Sequence, residues 1–130
     1  MDNKKTVLVL GAGLVVRPIV HYLSEKGYKV VVASRTLEKA EQIAAGSSAV
    51  TRACDVETEQ GKAVLEELIP TADAVVSMLP YLLHPYAAKR ALAHSKHFLT
   101  TSYVRYKRFQ YILTLHTLKS PRTFLIIARQ

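Results

Sequence analysis

One cysteine, Cys54, stands among the 130 residues. That leaves no partner for an internal disulfide and excludes a zinc site built on paired cysteines; it agrees with a reducing, cytoplasmic setting. No apolar run approaches the ~18 residues of a membrane span, and the opening MDNKK has no apolar segment of a secretory leader. No membrane partner is expected. Acid is missing from one end: all ten Asp and Glu lie in 1–104, while 105–130 hold six of the eighteen Lys and Arg. The net charge of +8 thus belongs mostly to the final segment. It does not describe a basic face spread over a nucleic-acid-binding domain, and Tyr and Leu interleave there without a recognised motif. No nucleic-acid partner is expected. His21, His94, His97 and His116 lack metal-ligand spacing, so no metal is expected.

What is present alternates. Residues 5–10, continuously apolar and rich in Val and Leu, read as a buried strand, and 28–34, 49–56, 72–79 and 97–104 read as four more strands. Between them, 13–26, a segment capped by Thr36, 58–69 and 85–95 carry helical spacing. Ile19, Val20 and Leu23 face inward on the first, Leu37, Ala40, Ile43 and Ala44 on the second, and Val64, Leu65 and Leu68 on the third; Pro85 suits the start of the fourth. Five strands with helical crossovers predict an α/β fold, a Rossmann-type doubly wound parallel sheet. In such a sheet ligands bind beyond the carboxyl ends of the strands.

Two further absences lie at those ends. The turn after the first strand reads GAGLVVRP, residues 11–18, and the third glycine of a dinucleotide fingerprint is replaced by Val16. Gly11 permits the tight turn and Gly13 a close backbone approach to a pyrophosphate at the helix N-terminus. The third glycine serves helix packing, so its loss widens the approach without removing the site. The second strand ends in ASRT, residues 33–36, with no carboxylate to accept from a ribose 2′-OH. Ser34, Arg35 and Thr36 instead supply hydroxyls, backbone donors and a planar cation, a set suited to a 2′-phosphate and therefore to NADP(H). Arg35 as an ordinary surface arginine, with Thr36 only a helix cap, is the alternative. Asp55, after the third strand, either accepts from the adenine amino group or simply starts a turn. Glu66 and Glu67 read as a solvated helix face, and His84 as a helix cap.

Together with SMLPYLLHP (77–85) and TTSYV (100–104), these segments resemble the NADP-dependent, glutamate-forming saccharopine dehydrogenases. That family carries a GxGxVxxP turn, a C/S-R-T segment, a D-V pair, an L-P-Y segment followed by a histidine, and a T-S-Y segment, in this order. The resemblance covers residues 5–104. It implies that Gly11, Gly13, Leu14 and Val15 sit on the pyrophosphate, Ser34, Arg35 and Thr36 on the 2′-phosphate, and Asp55 and Val56 beside the adenine. Leu79, Pro80 and Tyr81 would line the nicotinamide half. Ser102 and Tyr103 would lie at the junction with substrate, Tyr103 as the substrate-proximal candidate for catalysis. Read without the resemblance, Tyr81 and Tyr103 serve equally well as core aromatics. The implied reaction joins glutamate and aminoadipate semialdehyde as an imine and reduces it with NADPH, in lysine metabolism.

The expected organisation is an NADP-binding domain over 1–104 and a basic, divergent segment over 105–130. The latter resembles a spliced, out-of-frame or truncated end and lacks the family's G-L-D-P-G segment and substrate domain, although FLIIA at 124–128 offers one more strand. Hydride transfer needs substrate held about 3–3.5 Å from the nicotinamide. The expectation is therefore an oxidoreductase domain that binds NADP(H) and meets its amino-acid substrate only with a further domain. A non-catalytic NADP-binding fragment, or a reductase of another amino-acid or polyamine imine, is the alternative.

Overall fold

The computed structural model describes residues 4–100 and 124–126. Six strands form one sheet: β1 (Thr6–Leu10), β2 (Lys29–Ser34), β3 (Val50–Ala53), β4 (Ala74–Ser77), β5 (His97–Thr100) and β6 (Phe124–Ile126). Four helices connect the first five: α1 (Val16–Glu25), α2 (Leu37–Ala44), α3 (Glu59–Leu68) and α4 (His84–Ala93). All pairings are parallel, in the order β3-β2-β1-β4-β5-β6. The apolar run at 124–128 does add a strand, β6, beside β5.

The period of two along each strand sorts the core into two layers. Val7 and Val9 of β1 pack with Val16, Val20, Ala40 and Ile43 of α1 and α2. Leu8 and Leu10 face the other way, toward Leu65 and Leu68 of α3, Ala87, Ala88 and Ala91 of α4, and Phe98. Each strand of the interior is thus apolar on both faces, which is why its sequence runs without alternation. Val16, where a third glycine was missing, is fully buried between α1 and the sheet. Its side chain performs by contact what the glycine performs by close approach.

Helices start and stop for local reasons. Thr58 caps α3 by accepting from the Gly61 N–H at 3.0 Å. Gly27 and Gly46 take positive φ after α1 and α2. Arg17 ties α1 to the end of α2 by donating to the carbonyls of Gln42 (2.6 Å) and Ala45 (3.3 Å). The third and fourth strands are shorter than the sequence reading. Cys54–Val56 and Met78–Leu79 leave the ladder to form turns, and 101–104 lie outside the described residues.

Glu66 corrects a second expectation. It is half-buried rather than solvated: Arg90 of α4 donates to both its oxygens, and His94 meets Oε2 at 2.7 Å. Glu67, by contrast, is exposed and pairs with Arg52. The Arg90 hydrogen bond, opposed by desolvation and aided by His94, lowers the Glu66 carboxyl to about 2. The unfolded chain takes up this proton near 4.5, the folded chain near 2, so the stabilisation is present above about 4.5 and lost as pH falls toward 2. Glu66→Gln is expected to cost about 1 kcal/mol at pH 7 and to flatten the acid limb of stability in that window. Thermal melts across pH check both effects; an unchanged acid limb contradicts the pairing.

Candidate functional site

The strand order reverses between β1 and β4, and their carboxyl ends border a crevice. A cleft of about 400 Å³ opens there. It is lined by Gly11, Ala12 and Gly13 after β1, by Ser34, Arg35, Thr36 and Lys39 after β2, by Cys54–Glu57 after β3, and by Met78, Leu79, Pro80 and Leu83 after β4.

The two glycines differ. Gly11 has φ +107°, and a Cβ there would stand 2.8 Å from the Met78 carbonyl oxygen, so the fold itself demands glycine. A Cβ on Gly13 would meet no protein atom within 4 Å. Packing does not require glycine at 13, while a ligand lying close to the turn would. Residues 12–15 donate no backbone hydrogen bond within the described residues, and α1 has no acid in its first turn. Free N–H groups and the positive end of a ten-residue helix suit a pyrophosphate. Leu14, fully exposed, and Val15, mostly exposed, sit at the helix tip and do not line the cleft.

At the end of β2, Ser34 is buried and its Oγ accepts from the Thr36 N–H at 3.2 Å, which leaves the hydroxyl proton to donate. Thr36 is the N-cap of α2, yet its side chain makes no capping bond. Arg35 and Lys39 are exposed and have no hydrogen bond or ion pair among the described residues. Two uncommitted cations beside two hydroxyls, with no carboxylate within 33–36, suit a dianionic group. Lys39, four residues after Arg35, was missed in the sequence because a lone lysine on a helix reads as surface.

Asp55 does start a turn: its Oδ1 accepts from the Glu57 N–H at 3.1 Å and its carbonyl from Thr58. It also lines the cleft, as does buried Val56. Cys54 donates its S–H to the Gly61 carbonyl at 3.3 Å. Burial, with the nearby Asp55 carboxylate, pushes its thiol up, so it stays protonated and unreactive at neutral pH. Gly61 is a second residue that sequence reading missed. A Cβ there would overlap the Asp55 carbonyl and stand 2.7 Å from the Asp55 nitrogen, so this glycine lets α3 press against the cleft wall.

After β4, Leu79 and Pro80 line the cleft, and Tyr81–Leu83 form a 3-10 turn. His84 is not a cap; it is the buried first residue of α4, and Leu83 occupies the N-cap position. Ser102 and Tyr103 lie outside the described residues. Among the described residues no helix is long and apolar enough to cross a membrane.

A family model described as the saccharopine dehydrogenase NADP binding domain matches residues 7–123, past the point where the motifs end. The NADP(+), L-glutamate-forming saccharopine dehydrogenase of Pyricularia oryzae is 42% identical over 101 residues, covering 77% of this chain and 22% of its own length. The mitochondrial alpha-aminoadipic semialdehyde synthase of Bos taurus is 35% identical over 105 residues, covering 80% of this chain and 11% of its own. Apo saccharopine dehydrogenase (L-Glu forming) from Saccharomyces cerevisiae superposes with a TM-score of 0.76 at 30% identity, over 95% of this chain and 27% of that structure. The chain therefore spans about a quarter or less of these three relatives.

Proposed function

The chain belongs to the family of saccharopine dehydrogenase NADP-binding domains, and from that premise we propose that it is the cofactor half of an oxidoreductase acting on an amino-acid imine. One observation carries the placement of the 2′-phosphate: two uncommitted cations and two hydroxyls at the cleft end of β2, with no carboxylate within 33–36. NADP(H) binding follows from the family itself; the roles of single residues are our reading.

In that reading the backbone of Gly11, Gly13, Leu14 and Val15 receives the pyrophosphate at the head of α1. Ser34, Arg35 and Thr36, with Lys39 beside them, hold the 2′-phosphate. Asp55 and Val56 border the adenine, Asp55 through the carboxylate oxygen not bonded to Glu57. Leu79 and Pro80 exclude water from the nicotinamide half, with Tyr81 on the turn that follows them. Ser102 and Tyr103 are assigned the junction with substrate by the family motif alone. NADPH, when bound, supplies the hydride. The substrate of the same reading is the imine of glutamate and aminoadipate semialdehyde, whose reduction gives saccharopine; the relatives' names support it. No nucleic acid belongs to the reaction. A cytoplasmic setting, which keeps the Cys54 thiol reduced, is part of the proposal.

The relatives' greater length supports a division of labour. The cleft orients one side of the reaction, and the amino-acid substrate is held by parts of the enzyme beyond these residues. The 130-residue chain is therefore expected to bind NADPH yet show no turnover with saccharopine and NADP(+). A steady-state absorbance assay checks this, and measurable NADPH production by the chain alone contradicts the division.

A further inference from the structure

We propose that His84 is a positioning residue for the nicotinamide side of the cleft, clamping the β4–α4 turn to the ends of β4 and β5 through Ser77 and Thr100. The inference rests on the nucleotide reading above and adds a residue to it.

Ser77 and Thr100 are the last residues of neighbouring strands and are paired in register. His84 opens α4. All three are buried, with His84 only 2% exposed, within the layer that holds Val75, Ala87, Ala88 and Phe98. Polar groups in such a layer persist only when paired. The Ser77 hydroxyl lies 2.7 Å from His84 Nδ1, and the Thr100 hydroxyl 3.2 Å from Nδ1 and 3.3 Å from Nε2. Burial lowers the imidazole to about 4, so at neutral pH the ring is uncharged and has one nitrogen free to accept.

The short bond from Ser77 to His84 closes a loop over seven positions. Four of the six residues inside that loop line the cleft: Met78, Leu79, Pro80 and Leu83. The Met78 carbonyl is also the group against which Gly11 is packed. The ring therefore sets how closely the wall approaches the glycine turn. A dinucleotide that places its adenosine half over β2 and β3 lays its other half on this side of the switch point.

The test uses the full chain and two probes, adenosine 2′,5′-bisphosphate by calorimetry and NADPH by nicotinamide fluorescence. In His84→Leu, NADPH is expected to weaken about tenfold and to lose the emission change of the bound nicotinamide. The bisphosphate, which reaches only the adenosine half, should bind within about twofold of the unsubstituted chain. Ser77→Ala, which leaves the ring in place without its short bond, should reproduce the pattern more mildly should His84→Leu fold poorly. His84→Gln, which keeps an acceptor, should restore part of the emission change. Equal weakening of both probes, or of neither, overturns the proposal. Failure of the bisphosphate to bind the unsubstituted chain instead contradicts the nucleotide reading, and the proposal falls with it.

Discussion

Arg35→Ala is expected to weaken NADPH about 30-fold while leaving NADH within about twofold, because only the phosphorylated ribose meets the guanidinium. The sequence places Arg35 where an NAD site carries a carboxylate, and the structure leaves it uncommitted on the rim of the cleft. A charge-assisted, two-pronged contact to phosphate contributes about 2 kcal/mol when one partner is removed, which is the quoted factor. Lys39 is also uncommitted and lines the same rim, so some phosphate affinity should remain. It should disappear in the Arg35→Ala/Lys39→Ala double variant. Fluorescence titration of both nucleotides checks the pattern. Equal NADPH affinity in Arg35→Ala and the parent chain removes the 2′-phosphate assignment.

Gly61→Ala is expected to be the most damaging single methyl in the domain. The added carbon would overlap the Asp55 backbone, and backbone cannot rotate aside as a side chain does. Either α3 or the turn at Cys54–Glu57 must move, which breaks the Thr58 cap and the Cys54 bond to Gly61. Overpacking of this kind costs about 3 kcal/mol, a large share of the ~5–15 kcal/mol that holds a domain together. Tm should fall by about 10 °C. Gly13→Ala is the matched control: no protein atom lies within 4 Å of its added carbon, so Tm should barely change while NADPH affinity drops. Melts and titrations on the pair separate a glycine kept for packing from one kept for a ligand. A Gly61→Ala melt equal to that of the parent chain contradicts the packing account.

The contrast between these glycines shows what the sequence made legible. Gly11 and Gly13 stand between a strand and a helix, so local order alone suggests their use. Gly61 sits inside a helical pattern, and its neighbour Asp55 reaches it only when α3 folds back on the β3 turn. The β-α alternation was readable because the interior strands are apolar on both faces and each helix on one. The strand ends were not, since the apolar character of Cys54, Val56 and Leu79 continues into turns that line the cleft. His84 shows the same limit. Its partners lie seven and sixteen positions away, and only the parallel pairing of β4 with β5 brings them together. Glu66 read as solvent-facing because its partners, Arg90 and His94, lie on α4 and at its C-terminal cap.

Calorimetric titration of the unsubstituted chain with NADPH and NADH tests whether the cleft beyond β1, β2 and β4 seats a 2′-phosphorylated dinucleotide. One site per chain is expected, with an NADPH preference of about 30-fold or more that shrinks as salt is raised. Equal affinity for the two, or binding of neither, would contradict it.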